Sequence, residues 1–158
     1  MSQVLSKQSN SVEAFVSLVR AHAAATRLLS AQLTADHGLT ISDYEVLLRL
    51  AQASDRRMRR VDLAEQVLLS ASGITRLLEG LERAGCVDRA ACDSDRRVVY
   101  AVLTDVGLAK LREASRSHLA QVEAYFTARF GDDELAELAA LLGRLSTDDP
   151  QTACEPPD

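Results

Sequence analysis

The segment Ser70–Thr104, SASGITRLLEGLERAGCVDRAACDSDRRVVYAVLT, decides how the rest of the chain is read. Ser70 is a natural N-cap, because its hydroxyl oxygen can accept an unpaired N–H of the helix that follows. Ile74, Leu77, Leu78 and Leu81 then fall at i, i+3, i+4 and i+7, one apolar stripe of an α-helix. Ser72, Thr75, Arg76, Glu79 and Arg83 share the opposite face, and Gly73 sits in a leading turn of short polar residues. Such a face suits close approach to a flat anionic surface. Gly85 can end the helix with a positive φ at no steric cost. Two short apolar runs follow, Val87 to Ala91 and Val98 to Leu103. The polar run Cys92-Asp93-Ser94-Asp95-Arg96-Arg97 between them predicts a hairpin with arginines at its tip. Helix, turn and basic hairpin together predict a winged helix-turn-helix, with the helix in a DNA major groove and the tip at the backbone or minor groove.

Outward from that segment, the other elements read as helices. Val12, Phe15, Val16, Val19, Ala23, Thr26, Leu29 and Leu33 trace a long stripe over about residues 10–36, with Asn10 and Glu13 as a capping box. His37-Gly38 ends it. Thr40 caps a second helix, with Leu39 and Tyr44 as a hydrophobic staple and Tyr44, Leu47, Leu48 and Ala51 as the inner face. Ser54 to Arg60 reads as a charged connector whose four arginines fit either a solvated loop or phosphate contacts. A short helix covers about Val61 to Val67, with Leu63, Ala64 and Val67 inward. Thr104 caps a long helix over about 105–129. Gly131 breaks it, and a last helix carries Leu135, Leu138, Leu141, Leu142 and Leu145. Residues 146–158 turn to Asp, Pro, Gln and Thr and predict a disordered tail.

Composition and charge agree with a DNA-binding module on a scaffold. At 158 residues, 47% apolar and 26% charged, one domain with an aliphatic core is expected. Net charge is −5, yet Arg56 to Arg97 holds nine Arg against seven Asp or Glu, while the remainder holds nine basic against sixteen acidic residues. A basic segment in an acidic chain is the electrostatic footprint of nucleic-acid binding. No apolar run approaches the roughly 18 residues of a membrane span, and no secretory signal is visible at the N-terminus, so a cytoplasmic protein is expected. Cys86, Cys92 and Cys154 form no C-x-x-C, and His22, His37 and His118 lack zinc-ligand spacing, so neither a disulfide framework nor a metal site is predicted. G-x-S-x-G, H-E-x-x-H, P-loop and Rossmann patterns are all missing, which predicts no catalytic residues, no cofactor and no enzyme.

Five pieces in register resemble the MarR family of bacterial transcription regulators: Leu63-Ala64-Glu65, Ser72-Gly73-Ile74-Thr75-Arg76-Leu77, Leu81-Glu82-Arg83-Ala84-Gly85, Asp95-Arg96-Arg97 and Leu103-Thr104-Asp105-Val106-Gly107. The resemblance covers about residues 12–145. Gly80, and Cys92-Asp93 in place of the commoner Asp-Pro, depart from the family pattern. The resemblance implies a mainly α fold with a small β-hairpin wing, a single domain over 1–158. Its winged module would span 40–104, flanked by dimerisation helices at 10–36 and 105–145. It also implies a homodimeric, ligand-responsive repressor of a palindromic DNA operator. Ser70, Ser72, Gly73, Thr75, Arg76 and Arg83 would face DNA. Arg97 would enter the minor groove, with Asp95 orienting its guanidinium and Arg96 on the backbone. Many relatives take small phenolic or carboxylate effectors between the dimer helices and the winged module, where His22, Arg27 and Tyr44 are the candidate lining groups. Two other functions stay open from sequence: a redox-responsive regulator acting through Cys92, and a non-sequence-specific DNA-binding protein.

Overall fold

The computed structural model describes residues 9–67, 69–92 and 97–145. The expected disordered tail at 146–158, the turn residue Leu68 and the hairpin residues 93–96 lie outside the described residues. Two compact units divide after Gln121. The first contains α1 (Asn10–His37), α2 (Ile41–Gln52), a 3-10 turn (Ser54–Arg56), β1 (Arg57–Arg59), α3 (Arg60–Gln66), α4 (Ala71–Arg83), β2 (Val87–Ala91), β3 (Val99–Leu103) and most of α5 (Asp105–Thr127). The second contains the end of α5 and α6 (Asp132–Gly143). The fold is mainly helical with a small three-stranded antiparallel sheet, in the order β1-β3-β2.

Local signals place most boundaries. Thr40 Oγ1 accepts the Asp43 N–H at 3.1 Å while the Asp43 carboxylate accepts the Thr40 N–H at 2.9 Å, a reciprocal cap on α2. Ser70 Oγ accepts the Gly73 N–H at 3.1 Å and starts α4. The end of α4 is a Schellman turn. Gly85, at φ 70°, donates its N–H to Glu82 O, and Cys86 donates to Leu81 O, both at 2.9 Å. Gly131 donates its N–H to the Glu134 carboxylate at 2.9 Å, which opens α6.

Three expectations are corrected. The first helix starts one residue earlier, at Asn10, with Ser9 as N-cap and no side-chain cap bond, so the Asn10–Glu13 capping box does not form. The inner face of α2 is wider than expected: Val46, Leu47 and Leu50 are buried, and Tyr44, Leu48 and Ala51 pack half-buried against the same core. The charged connector is not all loop. Arg57–Arg59 pairs with β3 as a third strand, Met58 facing Ala101 across the ladder. Arg-Met-Arg carries no apolar alternation to reveal it. The open edge of β3 supplies the backbone partners that a short segment here must find.

The core lies within the first unit. Leu33 of α1, Val46, Leu47 and Leu50 of α2, Leu63 of α3, Ile74, Leu78 and Leu81 of α4, Val87 of β2, Ala101 and Leu103 of β3 and Leu111 and Ala114 of α5 form one buried cluster. The turn after α4 seats the start of α5. Thr104 donates its N–H to Cys86 O at 3.1 Å and its hydroxyl to Gly85 O at 2.7 Å, while its Oγ1 accepts the Gly107 N–H at 3.0 Å. Gly107 packs so closely that an added Cβ would overlap Cys86 O and lie 2.8 Å from Leu103 Cδ1. That contact is a physical reason for glycine at the end of the Leu103–Gly107 motif.

Candidate nucleic-acid interface

Helix α4 builds the site because its two faces are chemically opposite. Ile74, Leu78 and Leu81 anchor it in the core, and Leu77 is half-buried. Ser72, Arg76, Glu79 and Arg83 are exposed on the other side, while Gly73 and Thr75 are half-buried. Several of these groups are already engaged. The Ser70 hydroxyl caps the helix and lies 3.2 Å from the Ser72 hydroxyl. Thr75 donates its hydroxyl to Ala71 O at 2.7 Å, which leaves its oxygen able only to accept. Arg83 folds back and donates Nε–H to Glu79 O at 3.1 Å. Arg76 is exposed, and no carboxylate among the described residues holds it. It is therefore the α4 cation best placed to reach outward.

The hairpin is tied to α4 by a residue that the sequence reading did not single out. Arg89 of β2 donates Nε–H to the Glu82 carboxylate at 2.5 Å. That hydrogen bond, with the carboxylate's charge, holds the Arg89 guanidinium above its ordinary pKa. The pair is exposed and worth little as stability, but it bridges helix and hairpin. At the far end, Cys92 donates its N–H to Val98 O at 3.1 Å and closes the ladder. Arg97 is exposed just beyond it. Asp95 and Arg96 lie outside the described residues, so the expected orienting of Arg97 by Asp95 does too. Cys92 is half-buried. Cys86 is buried, and burial pushes its thiol pKa up, away from reactivity.

The four connector arginines have separate fates. Arg56 pairs with Asp105 at 2.9 Å. Arg59 grips Asp62 with two N–H groups at 2.6 and 2.9 Å, and that carboxylate raises its pKa. Arg57 lies over the Tyr100 ring, 5.2 Å from its centre, in a cation–π contact. Arg60 is half-buried with no carboxylate partner among the described residues.

The three candidate effector groups have different surroundings. His22 and Arg27 are exposed on α1, and His22 Nε2 lies 3.5 Å from Thr26 Oγ1 of its own helix. Tyr44 turns to α5, where its hydroxyl is 3.0 Å from Ser115 Oγ and its ring tilts against His118 with centres 5.0 Å apart. Burial lowers the His118 pKa, and its Nδ1 is buried without a partner. Nearby, His37 Nε2 lies 2.6 Å from Ser117 Oγ. Among the described residues no group of three or more His, Cys, Asp or Glu is arranged to hold a metal, and no helix is long and apolar enough to cross a membrane.

The described geometry has close counterparts. The MarR family model matches residues 39–99, from the start of α2 to the start of β3. The HTH-type transcriptional repressor YetL of Bacillus subtilis is 31% identical over 111 residues, covering 70% of this chain and 66% of the repressor's own length. AbsC, a MarR family transcriptional regulator from Streptomyces coelicolor, is 33% identical with a TM-score of 0.72, over 88% of this chain and 94% of AbsC. Sco3205, a regulator of the same family and organism solved in complex with DNA, is 26% identical with a TM-score of 0.79, over 90% of each chain.

Proposed function

This chain belongs to the MarR family of transcriptional regulators, and from that membership we propose that it is a homodimeric repressor of a palindromic operator, released by a small phenolic or carboxylate effector. Members of this family are DNA-binding regulators and not enzymes. The observation that carries the DNA-reading part is α4 itself, a helix anchored by Ile74, Leu78 and Leu81 that presents Ser72, Arg76 and Glu79 outward beside a basic hairpin. Ser70, Gly73, Thr75 and Arg83 would support that face through the cap, the close turn and contacts to the DNA backbone. Arg97, with Asp95 and Arg96, would work in the flanking minor groove. A repressor acting on chromosomal DNA works in the cytoplasm.

Dimerisation is supported by apolar surface that this chain leaves uncovered. On α1, Phe15 is 67% exposed and Val19 49% exposed, and on α6 Leu141 is 50% exposed. Large apolar side chains repeated along a helix usually mark a partner surface. For the effector, Tyr44 beside Ser115 and His118 is the strongest of the three candidates. It combines an aromatic ring with hydroxyl and imidazole groups suited to a phenol or carboxylate.

Selection from random duplexes tests the reading. The full-length protein should enrich a palindrome whose half-site centres are about one helical turn apart. On that duplex Arg76→Ala should cost about 1–3 kcal/mol and relax preference at one position per half-site. Equal weakening on every duplex would make Arg76 a phosphate contact and remove its base-reading role.

A further inference from the structure

Arg60 is the unusual cation of the module. It is half-buried where α3 meets the sheet, and no carboxylate among the described residues lies within ion-pair distance. A charge taken partly out of water calls for a counter-charge. Its neighbours Arg56 and Arg59 have theirs in Asp105 and Asp62. A cavity of about 130 Å³ adjoins Arg60, and its walls are Arg59, Arg60, Val61, Arg97, Val98 and Val99. Three guanidinium-bearing residues therefore surround one small space with valines as the rest of its wall. The valines thin the water around that space, which strengthens attraction for an anion. Arg59 already gives Nε and one Nη to Asp62 and keeps its second Nη in reserve.

We propose that this cavity receives a phosphate of the DNA backbone, with Arg60 as the principal contact and Arg59 and Arg97 at its sides. The proposal rests on the DNA-binding reading above and adds a contact away from the polar face of α4. A guanidinium fork matches a tetrahedral phosphate through paired N–H donors. The contact carries no base information, so it fixes how the module is seated on the duplex and leaves sequence choice to α4.

The test is a salt titration of full-length protein on the selected operator and on a random duplex of equal length. Arg60→Gln should weaken both by the same factor, about tenfold or more, as expected for loss of a charged hydrogen bond. The slope of log K against log salt should become shallower by about 0.9 for each bound protomer. Arg60→Lys should keep the slope, because the charge stays, while losing affinity because the fork is gone. An Arg60→Gln protein with the wild-type slope, or one weakened only on the operator, overturns the proposal. So does an Arg60→Lys protein that loses the slope as well. Inorganic phosphate alone, followed by the Arg60 guanidinium resonances, separates the two sources of the anion. Shifts at Arg60 without a change of slope in Arg60→Gln would assign the cavity to free phosphate and overturn the DNA contact. If the wild type binds neither duplex, the DNA-binding reading itself fails. If it binds and Arg60→Gln keeps its slope, only the cavity assignment fails.

Discussion

The winged module and the helical flanks bury their apolar residues to very different extents. In the module, Val46, Leu47, Leu50 and Leu63 are fully buried, and each strand contributes to the same core. On α6 no residue is buried, and on α1 only Leu29 and Leu33 are. Both regions are rich in aliphatic residues, so composition does not distinguish them. The module folds back on itself through turns and a sheet, which lets its stripes meet within one chain. The flanks are long helices whose stripes outrun the surface available in one chain. Apolar area left in water stabilises nothing until something covers it. The module is accordingly the part whose stability is internal, and the flanks carry the apolar surface still open to a partner.

The largest expected effect falls inside the module. Gly107→Ala drives a methyl group into Cys86 O, a backbone atom that cannot swing aside. It should cost about 3 kcal/mol or more, at the upper end of overpacking penalties. Chemical denaturation of the two proteins measures it, and an unchanged midpoint would show that the turn after α4 is softer than its packing implies. Phe15→Ser comes next and should act on assembly, not on the module. Truncation of an aromatic side chain that a partner covers is worth about 2 kcal/mol or more, and Phe15 is the most exposed large apolar residue of α1. Sedimentation should show the dimer giving way to monomer while helix content holds. A variant that remains dimeric would move the interface elsewhere and blur the contrast between module and flank.

The smallest effect on stability is expected at the hairpin tip. Arg97 is exposed and not part of the buried cluster, so Arg97→Ala should change stability by no more than about 0.5 kcal/mol. Operator binding should nevertheless weaken, and its salt slope should flatten by about two units per dimer, one for each arginine lost. Thermal melts beside a salt titration check both halves. An unchanged slope and affinity would show that the tip does not reach DNA.

Much of the fold was legible in the order of residues because its signals are local. A hydroxyl at Ser70 and Thr40, a glycine at Gly85 and a period of 3.6 from Ile74 to Leu81 each act within a few residues, so α2, α4 and their ends follow from neighbours in the chain. The β2 strand could be read for the same reason. What could not be read were the long-range pairings. Arg57–Arg59 is a strand only because β3 offers it an edge, and Met58 finds Ala101 across 43 positions of sequence. Arg89 meets Glu82, and Arg56 meets Asp105, through the same folding back. Among the arginines, sequence supplies the charge, but the folded chain decides which ones are neutralised by carboxylates and which face a cavity or solvent. The same reason separates His22 and Arg27, exposed on one helix, from Tyr44, which turns to Ser115 and His118. Side-chain type is local, whereas the company it keeps is set by packing between elements far apart in the chain.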